Sequence, residues 1–148
     1  MDIDFDWFCV DVDGCIAHFT SAGFKRLPES VARSAEDLKF LERFFRDELP
    51  LRDDHCVDEQ LDQKVPEWRI NAERYLRSFV AMAKKGLYSY DIGSYLEPGI
   101  EYFRVAYPKT PINISDLPEA IQKILARTSL NVRFAASQRI SYELTLHA

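Results

Sequence analysis

The sequence predicts an α+β domain with a mostly antiparallel sheet, and three observations support this fold class. The 148 residues match the size of one compact domain, and 47% of them are apolar. Strand-like runs occupy both ends of the chain. The predicted order of elements, ββ-α-α-ββ-α-ββ, differs from the regular βαβα alternation of a parallel sheet. We therefore expect one domain over residues 1–148, with an N-terminal β-hairpin and about three helices packed on one side of the sheet.

The first element is a predicted hairpin over residues 5–20. Its centre, Asp13-Gly14, is typical of a two-residue type I′ turn, in which both residues have positive φ. Such a turn fixes the register of the two strands and places Cys9 opposite His18. In this register one face of the hairpin is wholly apolar, and the other is expected to be partly exposed.

The middle of the chain is predicted to form two helices separated by a polar segment. Ser34 has the residue type of an N-cap, and Pro50 ends the helical spacing of apolar residues that follows it. Residues 51–66 are polar and acidic and are predicted to form an irregular excursion. The second helix is predicted from about Glu67 to Lys85. Its apolar stripe consists of Trp68, Ala72, Tyr75, Leu76, Phe79 and Ala83.

The last part of the chain is predicted to form four strands and a third helix. Residues 87–90 and 102–107 have strand-like composition. The sequence Asp116-Leu-Pro-Glu119 is typical of a helix start. Residues 132–136 and 139–146 alternate well enough to predict a terminal antiparallel pair.

The net charge of −5 is unevenly distributed. Residues 1–64 contain 16 acidic and 8 basic side chains, whereas residues 65–148 contain 8 acidic and 11 basic ones. An acidic first half repels nucleic acids and anionic membranes, and it favours docking on a basic protein surface. The simpler interpretation is that this charge keeps the protein soluble.

Other features of the composition indicate the compartment. No apolar run approaches the about 20 residues of a membrane span, and the chain does not begin like a signal peptide. Three cysteines are too few for a disulfide framework. We therefore expect a cytoplasmic protein with reduced thiols and no membrane partner.

One acidic segment is the predicted partner-binding site. Five carboxylates fall within ten residues, and they are Asp53, Asp54, Asp58, Glu59 and Asp62. Such a patch complements a basic partner surface. The alternative is a solvated loop that opposes aggregation.

The sequence Asp11-Val-Asp13-Gly-Cys15-Ile resembles the first motif of haloacid-dehalogenase-type phosphatases. The resemblance implies that Asp11 is a nucleophile and Asp13 a general acid, with Mg²⁺ shielding their charges. Cys15 replaces the usual threonine, and no paired acidic motif follows in the second half. A simple Asp-Gly hairpin is therefore the favoured interpretation, and this phosphatase is kept as an alternative.

Other chemistry-bearing groups favour structural interpretations. Cys9 and His18 resemble a nucleophilic pair, but the acidic hairpin does not favour a thiolate. The sequence Asp53-Asp-His-Cys56 lacks the second ligand pair of a tetrahedral metal site. The tyrosines of residues 88–107 are accompanied by too few basic residues for nucleic-acid binding. We predict no catalytic residue, no metal and no cofactor.

The hairpin sequence Asp6-Trp-Phe-Cys-Val-Asp-Val-Asp-Gly-Cys-Ile-Ala-His-Phe-Thr20 and the Ser-Ala-Gly-Phe24 loop after it resemble the opening of a group of small bacterial proteins of unassigned activity. The likeness extends to Lys85–Asp91, Tyr107–Pro108 and Asp116–Pro118. Small acidic proteins of this type are similar to the immunity proteins paired with bacterial toxins. The resemblance implies a non-enzymatic inhibitor that binds a basic toxin or effector and blocks it. A regulatory or structural interaction subunit is a further alternative, and the sequence leaves the oligomeric state open.

Overall fold

The computed structural model describes residues 6–20, 27–52, 54–94 and 99–143. These residues form a six-stranded sheet with helices, which confirms the predicted α+β class. The strands are β1 (Trp7–Val10), β2 (Ile16–Phe19), β3 (His55–Val57), β4 (Tyr88–Ser94), β5 (Gly99–Pro108) and β6 (Arg139–Glu143).

The sheet is mostly antiparallel, as predicted. Its order is β1-β2-β4-β5-β3, and β6 pairs with the part of β5 that β3 leaves uncovered. Only β2 and β4 run parallel among the described pairs. A parallel pair needs a long crossover, and here the crossover is the chain from residue 20 to residue 87, which carries most of the helices.

Three longer helices correspond to the three predicted ones. The helices are α1 (Glu29–Ala32), α2 (Ala35–Asp47), α3 (Leu61–Lys64), α4 (Ala72–Ala83) and α5 (Glu119–Leu125). Ser34 caps α2, because its hydroxyl accepts from the Asp37 N–H at 3.1 Å. Gly86 follows α4 with a φ of 95°, as expected of a residue that stops a helix. Single 3₁₀ turns lie at Trp68–Asn71, Ile114–Asp116 and Phe134–Ala136.

The sheet is covered on both faces. One face carries Phe8 and Ile16, which pack against α2, α4 and α5 in one apolar cluster. Phe103 and Val105 extend this face toward α3 and α4. The other face carries a cluster of aromatic side chains, and Phe134 of the last 3₁₀ turn packs against them.

The turn of the first hairpin differs from the predicted one. The Asp11 N–H donates to the Cys15 carbonyl at 2.9 Å, and the Gly14 N–H donates to the Asp11 carbonyl at 3.2 Å. Gly14 has a φ of 85°, whereas Asp13 does not have a positive φ. This pattern is a three-residue loop, a type I turn followed by a glycine bulge. The two-residue type I′ prediction is wrong because the Asp11 carboxylate stabilises the longer turn by accepting from the Asp13 and Cys15 N–H groups.

The longer turn shifts the strand register by one residue. Cys9 lies opposite Ala17, and Phe8 lies opposite His18. The predicted Cys9–His18 pair is therefore wrong, because adjacent positions on a strand point to opposite faces. The predicted partly exposed face is also wrong, since all side chains of β1 and β2 are buried.

Two further segments correct the predictions. Residues 51–66 contain strand β3 and helix α3, so they are not an irregular excursion. Residues 132–136 form no strand and end in a 3₁₀ turn, because β6 pairs with β5 instead. Strand β4 extends to residue 94, further than predicted. Residues 95–98 and 144–146 lie outside the described part of the chain.

Candidate functional site

Both oxygens of the Asp11 carboxylate accept hydrogen bonds from the backbone around it. Its Oδ1 accepts from the N–H groups of Asp13 and Cys15, both at 2.9 Å. Its Oδ2 accepts from the Phe134 N–H at 2.9 Å. Asp11 is buried, and it fastens the hairpin turn to the last 3₁₀ turn. A nucleophile needs an open face for its substrate, so this geometry gives Asp11 a structural role.

Asp13 also makes contacts that stabilise the hairpin turn. Its carboxylate lies 3.0 Å from Arg133 Nε, and its carbonyl accepts from Asn113 Nδ2 at 2.8 Å. Strand β1 pairs antiparallel with β2 in the described sheet, and on its other side only Val10 forms a parallel bridge, with Ser129. A phosphatase motif of the predicted kind belongs on an inner parallel strand. The phosphatase hypothesis therefore gains no support from this part of the fold.

Burial raises the pKa of both cysteines in the first hairpin. Burial raises the pKa of the Cys9 thiol well above its ordinary value, and Asp11 adds to this shift. Burial, Asp11 and Asp13 raise the pKa of Cys15 to about 11. Both cysteines therefore stay protonated near neutral pH, which is unfavourable for a nucleophile.

His18 lies between a hydroxyl and a carboxylate, but inside the core. Its Nδ1 is 2.7 Å from Ser89 Oγ, and its Nε2 is 3.1 Å from Asp6 Oδ2. This order of groups resembles a hydrolase triad. However, His18 and Ser89 are completely buried, and the His18 ring packs between Phe8 and Phe79. A substrate cannot reach this serine, and the Ser89 hydroxyl serves as the hydrogen-bond partner of the buried His18 Nδ1.

The tyrosines of the second half belong to the core as well. Tyr88, Tyr90 and Tyr102 are buried. The Tyr90 ring stacks on Phe19 with centroids 5.0 Å apart, and its hydroxyl donates to the Ser137 carbonyl at 2.6 Å. These rings cannot provide a stacking platform for nucleic-acid bases. Among the residues that the structure describes, no three His, Cys, Asp or Glu side chains converge as metal ligands would.

The described carboxylates of the predicted partner-binding site differ in their burial. Asp53 lies outside the described residues, and Asp54 is half-buried. Asp58 is buried and pairs with Arg104 at 2.8 Å, so placing it on an exposed acidic patch is wrong. The reason is that Asp58 follows strand β3, where its backbone N–H donates to the Val105 carbonyl of β5. Glu59 and Asp62 are exposed, as the prediction requires.

An exposed apolar residue follows Asp62 eight positions later in the sequence. Ile70, in the first 3₁₀ turn, is 86% exposed, the largest exposed fraction among the bulky apolar side chains described. Ile70 is not among the predicted site residues, although its position off the apolar stripe of the second predicted helix indicates an exposed side chain. Its neighbour Trp68 is half-buried and donates its indole N–H to Asp62 Oδ1 at 3.0 Å.

These contacts hold the turn that carries Ile70. The Arg69 guanidinium lies 4.4 Å from the Trp68 ring centroid, and its Nε lies 3.2 Å from Asp62 Oδ1. Hydrogen bonds from Trp68 and Arg69 lower the pKa of Asp62 below its ordinary value. Asp62, Trp68 and Arg69 thus form one interlocked group, and Ile70 projects from the turn that contains two of its members.

The charged residues near Ile70 in sequence carry both signs. The exposed acidic residues of residues 59–73 are Glu59, Asp62, Glu67 and Glu73. Among the basic residues, Arg69 pairs with Asp62 and Lys64 lies 4.0 Å from Glu101, whereas Arg74 and Arg77 follow in α4 and are exposed. We call the side chains of Glu59, Asp62, Glu67, Trp68, Ile70 and Glu73 the 59–73 surface. It contains one highly exposed apolar side chain and four exposed carboxylates on one continuous segment.

Comparisons with protein-family models, with curated proteins and with solved structures find no match to this chain. The resemblance to immunity-type proteins therefore stays a prediction. Within the described part of the chain, no helix has both the length and the apolar content that a membrane crossing needs.

Proposed function

We propose that this protein is a non-enzymatic binding protein, an immunity-type inhibitor that docks on a basic toxin or effector through the 59–73 surface. The observation that carries the proposal is Ile70, which is 86% exposed on an ordered turn, in a segment that also bears four exposed carboxylates. An isolated exposed apolar side chain is common on protein surfaces. Here it lies next to tryptophan and arginine, two residue types enriched at binding hot spots.

The two components of this surface have different physical roles. Complete burial of an isoleucine side chain contributes about 1.5–3 kcal/mol, so loss of Ile70 contacts should mainly speed dissociation. Exposed carboxylates at the rim attract a basic partner and mainly speed association. The interlocked Asp62, Trp68 and Arg69 reduce the entropy lost on binding, because their side chains are already ordered in the free protein.

The experiment begins with capture of a partner from the native lysate by the tagged protein at low and high salt, with identification by mass spectrometry. The captured protein is then purified, and its association and dissociation rates are measured against variants. We expect a basic partner whose capture weakens with salt. A toxin whose activity falls on binding supports the inhibitor, whereas a partner without toxic activity favours the interaction subunit.

Two matched pairs of variants test the surface itself. Ile70→Ala is compared with Leu51→Ala, because Leu51 is also highly exposed, at 67%, but lies outside the 59–73 surface. We expect faster dissociation only for Ile70→Ala. The double variant E59Q/E67Q is compared with E48Q/E119Q, which removes the same charge elsewhere.

We expect slower association at low salt for E59Q/E67Q, and near wild-type association for E48Q/E119Q. If each test variant binds like its matched control, the 59–73 surface is not the docking site. If no partner is captured at any salt, the binding function itself loses its support, and hydrolysis of a panel of phosphate esters with Mg²⁺ becomes the next assay.

A further inference from the structure

Helix α2 exposes an aromatic side chain on the surface of the domain. Phe40 is 44% exposed, although Leu38, Leu41 and Phe45 of the same helix are buried. It borders a surface groove of about 460 Å³ between α2 and α5. The groove is lined by Glu36, Asp37, Lys39, Phe40, Arg43 and Ile124.

The charged residues of α2 divide into two groups. Several form ion pairs within the chain, and these pairs are Asp37–Arg127, Glu42–Arg46 and Arg46–Asp47. Glu36, Lys39 and Arg43 form no ion pair with any residue in the described part of the chain, and all three are exposed. Of these, Glu36 and Arg43 share a helix face with Phe40, one toward each end of the helix.

The spacing of Glu36, Phe40 and Arg43 makes this face self-complementary. Positions i, i+4 and i+7 lie on one face of a helix, and the outer two are about 10 Å apart along its axis. When two such helices run antiparallel about a two-fold axis near Phe40, the two Phe40 rings meet. Each Glu36 then faces Arg43 of the other copy.

We propose that α2 pairs with α2 of a second copy of this chain, in an antiparallel and two-fold symmetric contact centred on Phe40. Symmetric contacts of this kind are the commonest way in which identical chains associate. A single pair of 13-residue helices is a small contact, below the about 1,200 Å² of buried area typical of stable complexes. The dimer is therefore weak and reversible. This inference concerns a different surface from the proposed function and does not depend on it.

The experiment is sedimentation velocity of the full chain at protein concentrations from about 10 μM to about 1 mM, where contacts of this size become populated. We expect the wild-type sedimentation coefficient to rise with concentration toward that of a dimer. Phe40→Ala should remain monomeric over this range. Ile70→Ala should dimerise like the wild type, because it alters only the 59–73 surface.

Charge reversal distinguishes this geometry from any other association. Glu36→Arg alone places two arginines opposite each other at both contacts, and Arg43→Glu alone places two glutamates there, so each variant should be monomeric. An equimolar mixture of the two variants places opposite charges at both contacts, so it should form a heterodimer. The control Arg77→Glu changes an exposed charge on α4 and should dimerise like the wild type.

Three results would overturn the proposal. One is a wild-type chain that stays monomeric throughout the range. Another is a single charge-reversal variant that dimerises as well as the wild type. The third is a mixture that stays monomeric while circular dichroism shows that both variants are folded.

Discussion

Replacing Asp58 with asparagine should remove much of the stability of the domain. Its Oδ2 accepts from Arg104 Nε at 2.8 Å, and its Oδ1 accepts from the Gln60 N–H and from Gln138 Nε2, both at 3.0 Å. Both members of the ion pair are buried, with 1% of the Asp58 and 9% of the Arg104 side chain exposed. Asparagine keeps the shape but removes the charge.

The expected loss follows from the charge left behind. Arg104 also donates Nη1 to the Phe134 carbonyl at 2.8 Å and covers the Tyr107 ring at 4.4 Å, so it cannot turn toward water without breaking these contacts. Removing one partner of a buried ion pair costs about 3–5 kcal/mol. Since domains of ordinary stability unfold at about 5–15 kcal/mol, the loss is a large fraction of the total. The corresponding fall in Tm for a chain of this size is roughly 6–20 °C.

Urea unfolding followed by tryptophan fluorescence and by circular dichroism measures this loss. Glu59→Gln is the control, since an exposed neighbour should change the free energy of unfolding by less than about 0.5 kcal/mol. A double-mutant cycle with Arg104→Gln should be strongly non-additive, because both single variants break one interaction. An Asp58→Asn variant whose free energy of unfolding lies within about 1 kcal/mol of the wild-type value would refute a structural role for this pair, and so would an additive cycle.

Three further predictions concern the candidate sites. The lowered pKa of Asp62 should appear in a carboxyl NMR titration as a midpoint below the ordinary value, and the Trp68 indole resonance should shift with it. Because the folded-state pKa of Asp62 is lowered, its stabilisation of the fold is present above the unfolded-state pKa and is lost as the pH falls through the folded-state pKa. A titration midpoint at or above the ordinary value would contradict these hydrogen bonds. The Cys15 thiol, with its pKa raised to about 11, should react with iodoacetamide at pH 8 far more slowly than a free thiol, whereas equal rates would show that the hairpin turn opens readily. Gly14→Ala should destabilise the domain by more than about 1 kcal/mol, because Gly14 has a φ of 85° and a Cβ there would lie 2.8 Å from the Asn113 side chain; thermal unfolding at the wild-type Tm would contradict this.

The three longer helices were predictable because their signals are local. Helix α2 follows from the N-cap Ser34 and from apolar residues at helical spacing. Gly86 marked the end of α4 because a positive φ is easily adopted only by glycine. The hairpin was predicted as an element, but its turn was not. Asp-Gly is compatible with two loop lengths, and the Asp11 side chain decides between them.

The features that depend on distant contacts could not be predicted. Strand β3 forms because β5 provides hydrogen bonds about 50 residues away in sequence. Asp58 has the same residue type as the exposed acidic residues around it, and only its pairing with Arg104, 46 positions away, places it inside. The candidate surface was therefore predicted only in part. Glu59 and Asp62 were found from composition, whereas the exposure of Ile70 was signalled only by its place off the apolar stripe of the predicted helix and was established by the fold.

Hydrogen exchange of the complex measured by mass spectrometry tests the central claim most directly. Exchange of each peptide is compared between the free protein and the protein saturated with its captured partner. Docking on the 59–73 surface predicts slower exchange in peptides that cover residues 59–73, with little change in peptides from α2 or α5. Slower exchange confined to another part of the chain, with residues 59–73 unchanged, would contradict it.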